Sequence, residues 1–193
     1  MNIFALSNDP YEAARWHNDR HLVKMITETA QMLSTAHRVL DGSETVFGKK
    51  KKFLILPFER IVADYEKSTP TNLVYMLENQ KAMLATHMNH PSAVWIRENN
   101  ENYCWALDLW DGLLNEWRRR YDHSKIHASQ RFQGQFCMLP RNIPTGKLTP
   151  FALAMPDEYK ISDDPVLCYR QYYKLGKAHL AKWRNTDAPP WFY

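Results

Sequence analysis

Residues 16–38, WHNDRHLVKMITETAQMLSTAHR, decide how this chain folds. Asp9 and Pro10 stand just ahead of them, an N-cap followed by a proline at the first helical position. No Gly or Pro interrupts residues 11–40, and Asp41-Gly42 then supplies a stop. The pattern predicts one long helix, or two helices that break near Asn18-Asp19. His17, His21, Lys24, Glu28, Gln31 and Thr35 recur at steps of four and three, which places them on one helical face. Leu22, Met25, Ile26, Ala30, Leu33 and Ala36 lie largely off that face and are the expected core positions.

A solvated helix face is ordinarily rich in Lys, Glu and Arg. This one mixes His, Lys, Glu and Gln on a helix that is apolar over most of its remaining circumference. It reads either as a plain solvent face or as a working surface with one of three chemistries. His17 and His21 at i,i+4 have zinc-ligand spacing, but the intervening residues Asn18, Asp19 and Arg20 lack the Glu of a metalloprotease helix, and no metal is expected. Glu28 can act as an acid/base or stabilise a developing cation. His17, His21 and Lys24 can together hold a phosphate.

Outward from this helix, residues 41–70 carry Gly42, Gly48, the lysine run 49–52, Pro57 and Pro70, and read as a long loop or inserted lobe. A short helix is expected over 71–85, so the interruption spans 41–85. His90-Pro91 opens the next helical region, with Trp95, Tyr103, Trp110 and Leu114 in its core stripe and either Asn89 or His90 as its cap. His87, Asn89 and His90 form a second polar cluster at this helix start, where backbone N–H groups favour anions. Arg97 and Asn102 can face the same cleft. His123 and His127 are expected at the surface, and 124–138 reads as helical. Residues 139–165 hold six prolines or glycines and read as a long loop with a short helix near 150–155. In it Asp157 and Tyr159 can reach a site. Asp164-Pro165 starts a last helix to about Trp183. Its Tyr169, Tyr172 and Tyr173, interleaved with Lys174, Lys177 and Lys182, suit either nucleic-acid contact or an ordinary amphipathic helix. No β alternation is convincing. The expected fold is a compact single all-α domain over 1–193, with a long loop or inserted lobe at 41–85.

Composition narrows the function classes. The chain has 193 residues, 45% hydrophobic and 24% charged, which is globular usage. No apolar run approaches the roughly 20 residues of a membrane span, and the N-terminus has no basic and apolar signal regions. Cys104, Cys137 and Cys168 are odd in number and widely spaced, so no disulfide framework or zinc knuckle is indicated. A reducing cytoplasm is the expected location. The net charge of +4 is compatible with a polyanionic partner.

The string Asp19-Arg20-His21-Leu22, with Glu28 seven residues after His21, resembles the phage pyrimidine-dimer DNA glycosylases of the endonuclease V type. Residues 87–120, with a histidine near a long helix entrance and Glu116 and Arg120 near its end, are similar, as is the aromatic tail. The resemblance implies a compact all-α fold that bends double-stranded DNA and extrudes a base. It implies no cofactor, no obligate protein partner and no membrane. The reaction it implies uses the N-terminal α-amine as nucleophile at the sugar C1′, with a Schiff-base intermediate and the helix Glu stabilising the cation. An α-amine titrates near pH ~8, so a fraction is neutral at physiological pH. The family exposes a Thr amine after Met removal; here Asn2 follows Met1, and Met1 is expected to stay. Where the family has Arg before the Glu and three residues after it, this chain has Thr27 and Gln31.

The expected function is therefore excision or processing of a damaged or modified pyrimidine in the cytoplasm of a bacterial host. Glu28, His21, Lys24, Met1 and Asn2 are the catalytic candidates, with Lys24 as an alternative nucleophile. His17, Gln31, His87, Asn89, His90, Arg97, Asn102, Asp157 and Lys177 are the substrate-binding candidates. The alternatives are a base-modifying transferase or hydrolase without Schiff-base chemistry, and a non-catalytic DNA-binding module.

Overall fold

A computed structural model of the chain describes residues 1–47, 51–57, 82–121 and 124–193. These residues are mostly helical. Helices α1 (Pro10–Trp16) and α2 (Asp19–Asp41) are followed by strands β1 (Ser43–Phe47) and β2 (Lys51–Ile55), then by α3 (Pro91–Glu98) and α4 (Asn100–Tyr121). A 3-10 turn over Ala128–Phe132 runs into α5 (Gln133–Phe136). A second 3-10 turn covers Asp157–Tyr159. Helix α6 (Pro165–Gln171) continues into a π turn over Tyr172–Gly176 and a short 3-10 piece over Ala178–Leu180.

The local start signals act as expected. Asp9, His90 and Asp164 each cap a helix that opens with proline. The break between α1 and α2 falls at His17 and Asn18, both extended, and the Asn18 side chain accepts the His21 N–H at 2.9 Å. Leu22, Met25, Ile26, Ala30, Leu33 and Ala36 are all buried. Helix α2 packs on α4 and α3, and α1 lies along α4. The α1–α4 approach is close because position 112 is glycine: a Cβ there would come within 2.9 Å of the Ala14 Cβ.

Several expectations need correction. β1 and β2 form an antiparallel pair, with Ser43 opposite Ile55 and Phe47 opposite Lys51. Their β-branched and aromatic residues (Thr45, Val46, Phe47, Phe53, Ile55) suit strands, although the run is too short to alternate visibly. No helix covers 150–155; the turn comes later, at Asp157–Tyr159, because the Pro150 and Pro156 rings and the hydrogen bonds to Thr149 and Ala152 hold this loop extended. The last α-helix ends at Gln171, well short of Trp183. The helix expected at 71–85 falls mostly outside the described residues, and 82–85 are not helical. His123 also lies outside them, while His127 caps the 3-10 turn after it. Among the described residues no helix is long and apolar enough to cross a membrane.

Two buried arginines join these elements. Arg38 on α2 donates to the carbonyls of Leu54, Ala82 and Met83, tying β2 and the start of the 82–90 segment to the helix. Arg120, with no exposed surface, donates to Glu116 at 2.7 Å, Asp19 at 3.1 Å and the Arg15 carbonyl at 2.7 Å. It joins the end of α4 to both sides of the α1–α2 break. Burial alone would raise the Glu116 carboxyl; hydrogen bonds from Arg119 and Arg120 overcome this and hold it below its ordinary value. Removing Arg120 takes the cation from Asp19 and leaves Glu116 to Arg119 alone. Arg120→Ala is expected to cost about 3–5 kcal/mol in urea unfolding, and Arg120→Lys to recover only part, since an ammonium cannot fork to three acceptors.

Candidate functional site

The site is built from the N-terminus inward. Residues Ile3, Phe4, Ala5 and Leu6 are each 5% exposed or less, so the chain begins inside the core. Asn2 anchors this entry. Its Nδ2 donates to the Ala154 carbonyl at 2.9 Å, and its Oδ1 accepts from the Ile3 N–H, the Tyr169 hydroxyl and the Ser92 hydroxyl. Further along, Arg170 Nε donates to the Leu6 carbonyl. The Met1 side chain is 2% exposed, while the residue as a whole is only half-buried, so its remaining exposure lies on the backbone end.

That end faces α2. The Met1 α-amine lies 3.5 Å from Glu28 Oε1, and Lys24 Nζ lies 3.3 Å from the same oxygen. Glu28 is 14% exposed and Lys24 is 62% exposed. One carboxylate thus meets two amines, one held by buried backbone and one on a flexible exposed stem. His90 adjoins this group. Its Nδ1 accepts the Ser92 N–H at 3.2 Å, which leaves the proton of the neutral ring on Nε2. Burial lowers its pKa, the positive amine and His87 lower it further, and Glu28 opposes them. His87 is exposed and has a left-handed backbone, φ 48°.

The polar stripe of α2 therefore divides. Glu28 meets the amine and Lys24 the same carboxylate, Gln31 is half-buried on the next turn, and Thr35 is buried and bonds to both the N–H and the carbonyl of Thr86. His17 and His21 belong to the interior. His17 Nδ1 donates to the Ala13 carbonyl at 2.7 Å, and its Nε2 has no partner among the described residues. His21 stacks on Phe4 at 4.4 Å and lies 2.7 Å from the Tyr173 hydroxyl, which accepts the Asn18 N–H and so gives its own proton to His21 Nδ1. A catalytic role for His21 by direct contact is corrected to one of holding Phe4, hence the N-terminal segment, in place. Phosphate contact by His17 is likewise excluded by its complete burial.

The five remaining binding candidates sit in different settings. Asn102 is fully buried; it donates to the Trp95 carbonyl and Thr149 hydroxyl and accepts the Thr149 N–H, so it holds the 139–165 loop. Arg97 donates to the carbonyls of Met88 and Ala93 and braces the turn before His90. Asn89 is exposed on that turn. Asp157 is 94% exposed and pairs with Lys160. Lys177 sits 4.8 Å over the Tyr172 ring, which in turn packs on Tyr159 at 4.8 Å. Tyr169 and Tyr173 are fully buried, as the amphipathic-helix alternative has it, and Tyr172 alone of the three is partly open. Among the described residues no group of three metal-binding side chains comes together. Sequence reasoning missed Phe4, Ser92 and Tyr173. For Phe4 a signal was present in the apolar run at 3–6; the other two partners are remote in sequence.

Comparison with known proteins finds no family model, curated protein or solved structure that matches this chain.

The buried histidines give a pH prediction. Burial, first of all causes, lowers His17 to about 4, His21 to about 3 and His37 to about 4. In the unfolded chain each titrates near ~6.5. Below that pH the unfolded state binds protons that the fold refuses, so stability is full above it and is lost as pH falls toward about 4. Urea midpoints should therefore decline between pH 7 and pH 5, and His37→Gln should flatten that decline.

Proposed function

We propose that this chain is a DNA-acting enzyme of glycosylase and abasic-site lyase type, with the Met1 α-amine as its nucleophile. One observation carries the reading: the amine of a buried, hydrogen-bonded N-terminal segment lies 3.5 Å from the Glu28 carboxylate. A free amine held beside a carboxylate is the pairing that imine chemistry requires. The spacing of His21 and Glu28 on α2 supports the same reading through the resemblance described above. Met1 itself bears the amine in this proposal, because its side chain occupies the core and the Asn2 side chain is already spent on four hydrogen bonds.

In the reaction, a target nucleotide leaves the duplex and its C1′ comes to the neutral amine. The amine's electron pair forms the N–C1′ bond as the glycosidic bond breaks, and the base departs with a proton. Glu28 takes the proton lost from nitrogen and passes it to O4′ as the C1′–O4′ bond breaks and the C=N bond forms; its carboxylate, ionised again, then faces the cationic imine. Loss of a C2′ proton then breaks the C3′–O3′ bond, so the downstream strand leaves with a 5′-phosphate, and water hydrolyses the remaining unsaturated imine to free the amine. At an existing abasic site the same amine condenses with the C1′ aldehyde and expels water. The His90 Nε2–H and Lys24 hold sugar or phosphate beside the amine. Lys177, with Tyr172 and Tyr159, binds the strand further along α2. Double-stranded DNA with a flipped base is the partner, the setting is the cytoplasm of the host cell, and the proposed body is one all-α domain carrying an insertion at 41–85.

Borohydride treatment with a duplex containing one abasic site should trap a covalent protein–DNA adduct that maps to Met1. A Gly-Ser extension ahead of Met1 should abolish it. Glu28→Gln should lower turnover by about 10²–10⁴-fold while binding persists. An adduct at Lys24 would move the nucleophile there, and binding with neither adduct nor product would favour the transferase or binding-module reading. Binding should weaken steeply with salt.

A further inference from the structure

The turn before α3 presents an apolar side chain where polar ones are the rule. Met88 is 42% exposed and stands between the exposed His87 and Asn89. Two residues later His90 caps α3, and in the same turn the Ser92 hydroxyl donates to Asn2 Oδ1 at 3.3 Å, next to the residue that bears the amine. The turn is held at many points. Thr35 Oγ1 bonds both the N–H and the carbonyl of Thr86; Thr86 Oγ1 and His87 Nδ1 are 2.7 Å apart; the His90 N–H donates to the His87 carbonyl at 2.9 Å. Arg97 donates to the Met88 carbonyl at 2.7 Å and to Ala93 within α3 at 3.0 Å. His87 adopts a left-handed backbone that a non-glycine residue holds only where its surroundings impose it.

We propose that Met88 is a wedge that enters the base stack of double-stranded DNA beside the extruded nucleotide. This rests on the DNA reading above. A base that leaves the duplex opens a gap between its neighbours, and unstacked faces are apolar. Proteins that kink DNA fill such gaps with Met, Leu, Ile or Phe. A wedge has to be exposed, apolar and close to the reacting sugar, and its backbone has to resist being pushed back. Met88 meets the first three requirements through its exposure and its nearness to His90. The fourth is met by Arg97, which ties the Met88 carbonyl to α3. Of the other exposed apolar side chains, Val23 lies on the regular helix α2 and Leu175 on the π turn. His87 and Asn89, on either side of Met88, are placed to meet the backbone flanking the gap.

The test compares Met88→Ala and Met88→Leu with the unaltered chain on two abasic substrates, one duplex and one single-stranded. Thermal unfolding serves as the control for folding. The unaltered chain should form the borohydride adduct on both. Met88→Ala should react at least about tenfold more slowly on duplex and at the ordinary rate on the single strand, which has no stack to open. Met88→Leu should behave as the unaltered chain does. Fluorescence of 2-aminopurine next to the abasic site should rise on binding and should rise less with Met88→Ala. Equal duplex rates for Met88→Ala and the unaltered chain, or an equal loss on both substrates, would overturn the wedge and leave the amine chemistry standing. Absence of any adduct from the unaltered chain would instead overturn the DNA lyase reading, and the wedge with it.

Discussion

The arrangement depends on the burial of the first six residues. An N-terminus normally frays, because nothing offsets the entropy of ordering it. Here Ile3, Phe4, Ala5 and Leu6 are inside the core, and Asn2 is bound through both ends of its amide. Apolar burial on the order of 25 cal/mol per Å² offsets the ordering cost. The consequence is geometric: the α-amine cannot sample solvent freely and is held against Glu28. Lys24 reaches the same carboxylate oxygen from an exposed and flexible stem, which is the main physical difference between the two amines.

The N-terminal segment is held in turn by a layer of polar groups that have given up their charge. Phe4 stacks on His21, and His21 shares a hydrogen bond with Tyr173, which also receives the Asn18 N–H that opens α2. Neutral imidazoles are the form that a dry interior tolerates. His37 follows the same rule on the far half of α2, bonded to Tyr103 and Gln135. Charge is kept inside only where it is fully engaged, as at Arg120 between Glu116 and Asp19. The result is a rigid frame behind the amine and an open polar surface in front of it.

That surface has different borders at its two ends. Toward Thr35 it meets the braced turn that carries His87, Met88 and His90. Toward His21 it meets Lys177 and the Tyr172–Tyr159 pair, where Gly176 is required because a Cβ there would come within 2.6 Å of the Tyr172 ring. Of these groups Glu28 and Lys24 belong to α2, while the amine, the tyrosine pair and Lys177 are brought up by other parts of the chain.

Much of the local structure was legible in the sequence. The caps at Asp9, His90 and Asp164, the break at Asn18, the core positions of α2 and the pairing of Lys24 with Glu28 all depend on neighbours within one turn of helix, and spacing reports such neighbours directly. The division of the α2 stripe was not legible. His17 and His21 carry the same polar label as Lys24 and Glu28, and the contacts that bury them come from Phe4 and Tyr173, one of them more than 150 residues away. Asn102 was misread for the same reason, since a polar group satisfied inside a core looks in sequence like one waiting for a ligand. The strand pair at β1 and β2 was too short to declare its period. By itself, then, the sequence determined the capped helix starts at Asp9, Asn18, His90 and Asp164 and the candidate carboxylate. Tertiary structure alone decided which polar side chains are open and brought the Met1 amine to Glu28, because that contact depends on how the first six residues pack and not on any spacing along the chain.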